Sequence, residues 1–150
     1  MKVKTELCDD GEELIVIKCR ERTEDIAALE RLINAALDEK RELRLFMDGT
    51  EYYVNKAEVL FFEAERNNVY AHTAERMLKT EHRLFELENL LPSYFVRVSK
   101  SVIVNVKQIS SLKRELMGGG ELCFKTSDKK TYFSRNYYKR LKEKINDIRL

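Results

Sequence analysis

The side chains that could do chemistry are few, and their spacing suits catalysis poorly. Glu63 and Glu65 lie two residues apart, so on a strand they would share one face and could act as a carboxylate pair. An outward-facing acidic pair at a strand edge is the simpler reading. His72 and His82 stand ten residues apart with no neighbouring Cys or Asp at metal-ligand spacing. Gly118-Gly119-Gly120 lacks the Lys-Ser/Thr that completes a phosphate loop. Cys8, Cys19 and Cys123 are widely spaced and form no CxxC pair, the usage of reduced cytoplasmic thiols rather than a disulfide frame or zinc site. We therefore expect no enzyme, no metal and no cofactor.

One cation stands out. Residues 95–105 read FVRVSKSVIVN, and Val96, Val98, Val102 and Val104 share the parity of one strand face. Lys100 falls on that same parity, where a buried unpaired ammonium would be expensive. Either the segment is not one flat strand, or the lysine is turned outward for a purpose. Charge is also uneven along the chain. Residues 91–150 carry 14 Lys/Arg against 5 Asp/Glu, whereas residues 1–50 carry 9 against 13. A basic final third on an acidic remainder suggests a face for a polyanion; a solvated lysine-rich surface is the plain alternative.

Short elements must position these groups. With 150 residues, 43% hydrophobic and 36% charged, the chain is globular in composition. It contains no apolar run of membrane-spanning length and no apolar signal stretch near its start, so a cytoplasmic protein without membrane insertion is expected. LIVIKC (14–19) reads as a strand and LRLFM (43–47) as another. Between them Thr23 is a plausible N-cap followed by acids, and Ile26, Leu29, Leu32, Ile33, Ala36 and Leu37 form an amphipathic stripe. Residues 1–45 thus read as a small βαβ segment and a possible dimerisation element. Asp48-Gly49 marks a hairpin turn.

The β-rich runs EYYVN, VLFFEAE, VYAHT and RMLKTE follow, with Asn67-Asn68 breaking the second from the third. EHRLFELENLL (81–91) is a one-sided helix with Leu84, Leu87, Leu90 and Leu91 inward, stopped by Pro92. FVRV, VIVN and ISSLKREL come next, then a loose Gly118–Gly120 turn. ELCFKT and KTYFS form a last hairpin around Ser127-Asp128. A basic helical tail carries Leu141, Ile145 and Ile148 on one side.

In order along the chain, VLFFEAERNNVYAHT, EHRLFELENLLPS, YFVRVSKSVIVNVKQISSL and KTYFSRNYYKRLKEKI resemble the LytTR family of bacterial DNA-binding domains. The most specific parts are F-x-R-x-x-[KR]-S-x-I-V-N and the closing S-R-x-Y. The resemblance implies an α+β fold. Its β-rich LytTR-like domain over 46–150 would have about ten short strands, an inserted helix and a C-terminal helix. It implies loops, rather than a recognition helix, inserted into successive major grooves.

Three places correspond to the family's contact loops: Asn68 with Arg66 and Asn67, Lys100 with Ser99 and Ser101, and Arg135 with Ser134 and Asn136. In many members the position of Ser99 is histidine; here a short hydroxyl replaces that ring. On this reading FVRV is a strand, the chain breaks at SKS, and VIVN resumes burial with a shifted phase. Lys100 then protrudes toward DNA.

The chemistry fits base readout. Arg135 and Lys100 can bond guanine O6 and N7, and Asn68 both edge groups of adenine. Lys113, Arg114, Lys129, Lys130, Lys139, Arg140 and Lys142 suit phosphates, with Tyr137 and Tyr138 either bonding phosphate or packing. Arg97 reads as structural, pairing with Glu63 or Glu65. The expected function is a sequence-specific double-stranded DNA-binding transcriptional regulator acting as a homodimer. The alternative is a β-sheet module for protein or RNA with a basic face. Many family members carry a phosphoacceptor receiver ahead of this domain. Here the leading segment is too short for one, and Asp9-Asp10 alone do not make its acidic pocket.

Overall fold

The computed structural model describes residues 2–6 and 14–149, without side chains at 38–40; Cys8 and Asp9-Asp10 lie outside the described residues. Two compact units cover residues 1–36 and 37–150. In the first, helix α1 (Glu24–Arg41) begins where Thr23 was expected to cap it. The Thr23 hydroxyl accepts the Ile26 N–H at 3.4 Å, and Glu24 and Asp25 occupy the first turn. Exposed pairs Arg22–Glu30 (2.6 Å) and Arg31–Glu24 (2.9 Å) decorate this segment. The expected strand at 14–19 does not form: the backbone is irregular, and Leu14, Ile15 and Val16 are each about two-thirds exposed. An apolar β-branched run becomes a strand only when another edge takes up its N–H and C=O groups. Among the described residues no strand precedes α1 to open the expected βαβ segment.

The second strand of that expected segment, β1 (Glu42–Met47), belongs instead to the larger unit. It pairs antiparallel with β2 (Thr50–Asn55) through the Asp48-Gly49 turn, where both residues have positive φ (51° and 77°). That is the twist a two-residue hairpin loop requires. The remaining strands are β3 (Phe61–Glu65), β4 (Asn68–His72), β5 (Met77–Thr80), β6 (Phe95–Arg97), β7 (Val102–Asn105), β8 (Ile109–Arg114), β9 (Gly120–Phe124) and β10 (Lys130–Phe133). A seven-stranded sheet runs β2-β1-β5-β4-β3-β7-β6, and a three-stranded sheet runs β10-β9-β8, all pairs antiparallel. The ten strands, inserted helix and C-terminal helix are as expected.

Alternation along the central strands builds a core on each face of the large sheet. Phe62 and Ile103 join Leu45, Val54, Ala71, Leu78 and the inserted helix α2 (Leu84–Leu90), which contributes Leu84 and Leu87. Phe61, Val102 and Val104 point the other way, into a cluster with Leu122, Phe124 and Phe133 of the small sheet and Leu141 of α3 (Tyr138–Arg149). All four residues of β7 are buried because both of its faces are covered.

Helix α2 is shorter than expected, and Leu90 is 48% exposed rather than inward. The Glu86 carboxylate accepts the Arg83 N–H at 3.2 Å, and the Lys56 ammonium donates to the Leu90 carbonyl at 3.3 Å. Leu91 is extended (φ −83°, ψ 149°), as a residue before proline must be. Buried Asn105 donates from Nδ2 to the Val59 and Ala57 carbonyls (3.0 and 3.2 Å) and accepts the Lys107 N–H at 3.0 Å. It stitches the end of β7 to the segment ahead of β3.

Candidate nucleic-acid interface

The segment FVRVSKSVIVN is a β-hairpin. β6 and β7 pair Val96 with Val104 and Arg97 with Ile103, and the Val98 N–H donates to the Val102 carbonyl at 3.0 Å. The chain breaks at SKS as expected, but the phase does not shift. Val96, Val98, Val102 and Val104 all enter one core cluster, because residues facing each other across a hairpin share a side. Lys100 keeps the valines' parity and escapes burial at the turn, where it is exposed.

The turn is held from inside. The Ser99 hydroxyl accepts the Ser101 N–H at 3.2 Å. The Arg97 guanidinium donates to the Ser99 carbonyl at 2.8 Å and also to the Lys100 carbonyl. Its partner is Glu88 at 3.5 Å, not Glu63 or Glu65. Arg97 therefore ties the loop to α2. Ser99 and Ser101 spend their hydroxyls on turn shape, leaving the Lys100 ammonium without a hydrogen bond or ion pair among the described residues.

Two backbone hydrogen bonds bring the other loops to this one. The Ala64 N–H donates to the Ser101 carbonyl at 2.8 Å, so the end of β3 lies beside SKS. The β3–β4 turn follows at once: Glu65 pairs with Asn68, leaving Arg66 and Asn67 as its two central residues. Arg66, not an asparagine, takes the left-handed conformation (φ 56°), and Asn68 opens β4 half-buried. On the other side, the Ser134 N–H donates to the Val98 carbonyl at 2.9 Å. Arg135 and Asn136 come next, exposed in a 3-10 turn (Arg135–Tyr137) that feeds α3. The turns carrying Asn68, Lys100 and Arg135 thus sit at one end of the unit.

A fourth turn lies at this end, and the sequence reading treated it only as a loose connection. β8 and β9 are joined by Glu115–Gly119, closed by Glu115 N–H to Gly119 O (2.7 Å) and Gly118 N–H to Glu115 O (3.0 Å). It is tight. Gly118 has φ 96°, and a Cβ there would stand 2.8 Å from Cγ of Arg135. A Cβ at Gly120 would meet the Lys113 carbonyl at 2.0 Å. The run of three glycines was the signal, read as looseness when it marks close approach.

The cations divide by position. Lys139 and Arg140 lie exposed in the first turn of α3, directly after the Arg135 turn, with Lys142 half-buried behind them. Lys113 and Arg114 end β8 beside the glycine turn, Arg114 stacking over the Tyr138 ring at 4.2 Å. Tyr138 also stacks on Phe133 (5.7 Å), which makes it a packing residue; Tyr137 is half-buried. Glu65 and Glu115 are exposed acids at this end, and Glu88 there is engaged by Arg97.

Lys129 and Lys130 are not brought to it. Lys130 starts β10 and Lys129 directly precedes it, so the strand separates Lys130 from Ser134, where the Arg135 turn begins, by roughly 13 Å at about 3.3 Å per residue. Lys129 donates to the Arg76 carbonyl at 2.7 Å, and burial holds its ammonium below the usual lysine range. Lys130 pairs with Glu121 at 3.3 Å.

At that far end His72 stacks on Phe61 (4.2 Å), with Lys129 Nζ 3.5 Å from its Nδ1 and Glu63 3.7 Å from its Nε2. Burial first, and Lys129 second, push the imidazole down to about 4. At neutral pH it is therefore uncharged, and the Glu63 contact is not an ion pair. Burial, then repulsion from Glu65, raises the Glu63 carboxyl. Among the described residues, no group of three or more His, Cys, Asp or Glu side chains could hold a metal.

The LytTr DNA-binding domain profile matches residues 35–146. An uncharacterized HTH-type transcriptional regulator of Staphylococcus aureus (strain NCTC 8325 / PS 47) is 36% identical over 120 residues, 79% of this chain and 81% of that protein. Its counterpart in strain MRSA252 is 35% identical over the same coverage. A LytTr DNA-binding domain from Bacillus cereus superposes with a TM-score of 0.65 at 23% identity, covering 70% of this chain and 96% of that one. In the present chain the described α-helices are separated from one another by strands, so no helix-turn-helix occurs among the described residues. By the span of the profile match and the identity to these regulators, the chain belongs to the LytTR family of DNA-binding domains.

Proposed function

We propose that this protein is a sequence-specific double-stranded DNA-binding transcriptional regulator that inserts turns into successive major grooves. The observation that carries this is the pair of backbone hydrogen bonds, Ala64 to Ser101 and Ser134 to Val98, that fix three turns beside one another. Arg135 and Lys100 offer guanine O6 and N7 their donors, and Asn68 offers adenine a donor and an acceptor. Arg66, Lys113, Arg114, Lys139, Arg140 and Lys142 neutralise phosphates, which set register without reading sequence. Lys129 and Lys130 have no part in this, given their position and partners. Ser99 and Ser101 act through the shape of the Lys100 turn.

The protein works as a homodimer through α1, whose Leu32 and Leu37 are exposed (69% and 36%) on the apolar stripe; two-fold sites need a two-fold protein. No described helix is long and apolar enough to cross a membrane, and the site of action is the cytoplasm, where the DNA is.

The test is titration of labelled duplex at two salt concentrations, first with a site selected from random sequence and then with unrelated duplex. Affinity falls steeply with salt, with a log–log slope near the number of phosphates neutralised. Lys100→Ala and Arg135→Ala each cost about 1–3 kcal/mol on the selected site and less on unrelated duplex. Equal losses on both sequences would demote these residues to backbone contacts. A protein that binds no duplex, yet binds RNA or an acidic protein, overturns the assignment.

A further inference from the structure

The Glu115–Gly119 turn presents two side chains that the fold does not use. Leu116 is fully exposed and Met117 is 84% exposed, while the turn itself is closed by two backbone hydrogen bonds. An ordered hairpin tip bearing two adjacent bare apolar side chains gains nothing from them in folding. Their position is informative. Gly118 lies in van der Waals contact with the aliphatic stem of Arg135, close enough that only hydrogen fits there. Leu116 and Met117 are the next residues back, within about 8 Å of chain from that contact at 3.8 Å per residue. The exposed cations Lys113 and Arg114 flank the turn on β8. Whatever polyanion Arg135 enters, this tip meets too.

We propose that the Glu115–Gly119 turn is a fourth DNA-contacting element, in which Leu116 and Met117 pack on thymine C5-methyl groups beside the bases met by Arg135. The inference rests on the DNA-binding reading above. In the major groove the thymine methyl is the one apolar feature a side chain can read, and the pair supplies an apolar surface without a competing polar group. The three glycines let the tip lie flat against Arg135, so the apolar surface and the guanidinium approach one groove together. This assigns specificity to a segment outside the three turns expected to carry it.

The experiment uses the full chain and a duplex selected from random sequence by rounds of binding. Each thymine of that duplex is replaced in turn by uracil, which removes only the methyl group. The titrations are repeated with a Leu116→Ser/Met117→Ser double variant, whose fold is checked by its unchanged thermal midpoint. At one or more thymines, uracil weakens wild type about fourfold, the worth of one buried methyl, and leaves the double variant unaffected. If the variant binds the parent duplex as wild type does, or loses as much as wild type at every uracil, the proposal is overturned. Arg135→Ala weakening binding while the double variant does not would overturn this inference alone. Failure to select any duplex removes it together with the DNA-binding reading.

Discussion

Lys100 and Arg97 illustrate how one hairpin separates reading from support. Every backbone carbonyl of the Lys100 turn that could drift is held, two of them by Arg97, while the lysine itself is left uncommitted. A fixed backbone under a mobile ammonium suits a group that must find either a guanine edge or a phosphate. His72 shows the opposite arrangement: a titratable side chain consumed by packing. Its folded value, about 4, lies below the ordinary 6.5, so the unfolded chain takes up the proton first as pH falls. Stability from this group is complete above about 6.5 and is lost as pH drops toward 4. Glu63, raised in the fold by burial and then by Glu65, works in the reverse sense. Urea unfolding at pH 7 and pH 4.5 should show a stability loss of up to about 3 kcal/mol that is absent in His72→Phe, which keeps the stack on Phe61. An equal loss in both proteins would show that other groups carry the acid sensitivity.

At the scale of elements, β7 is the strand on which the rest depends. Its side chains feed both cores, its first end carries the Lys100 turn, and its last residue, Asn105, is fully buried. Replacing Asn105 by Ala takes the side-chain partner from the buried Val59 carbonyl and from the half-buried Lys107 N–H. We expect a loss of about 2–4 kcal/mol in urea-derived stability, read against Asn105→Asp, which keeps the acceptor alone. A loss below about 0.5 kcal/mol for the alanine variant would mean the neighbouring segment relaxes to satisfy those groups. The asparagine of S-x-I-V-N is thereby a structural lock, whereas the lysine three positions before Ile103 faces outward.

Taken as a whole, the molecule is one β-rich unit preceded by a segment with apolar surface to spare. Leu14, Ile15 and Val16 are bare, and so is Leu32 on α1. These suit a second copy of the chain, and a symmetric pair would present two sets of turns to two half-sites. Sedimentation across a range of protein concentrations should give a dimer for the natural chain and a monomer for Leu32→Glu, with the selected duplex bound more weakly by the variant. A natural chain that sediments as a monomer at every concentration removes the dimer. The unequal distribution of charge also has its place at this scale. Of the basic final third, Lys100, Lys113, Arg135, Lys139 and Arg140 at the turn end form no ion pair among the described residues, while Arg97 is held by Glu88, and Lys129 and Lys130 at the other end are engaged.

By itself the sequence determined the strands from β1 onward, both helices that follow, the Asp48-Gly49 hairpin and the three turns that carry Asn68, Lys100 and Arg135. Alternation, turn residues and motif order are local properties, and each is written within a few neighbouring positions. It misjudged the run at 14–19, because whether an apolar run becomes a strand depends on a partner edge the run does not specify. It also missed that Arg97 answers to Glu88, that Lys129 faces His72, and that the glycine turn rests on Arg135. Those are contacts between residues 9 to 57 positions apart. Only closing the two sheets over their shared core decided which end of the molecule each of them reached.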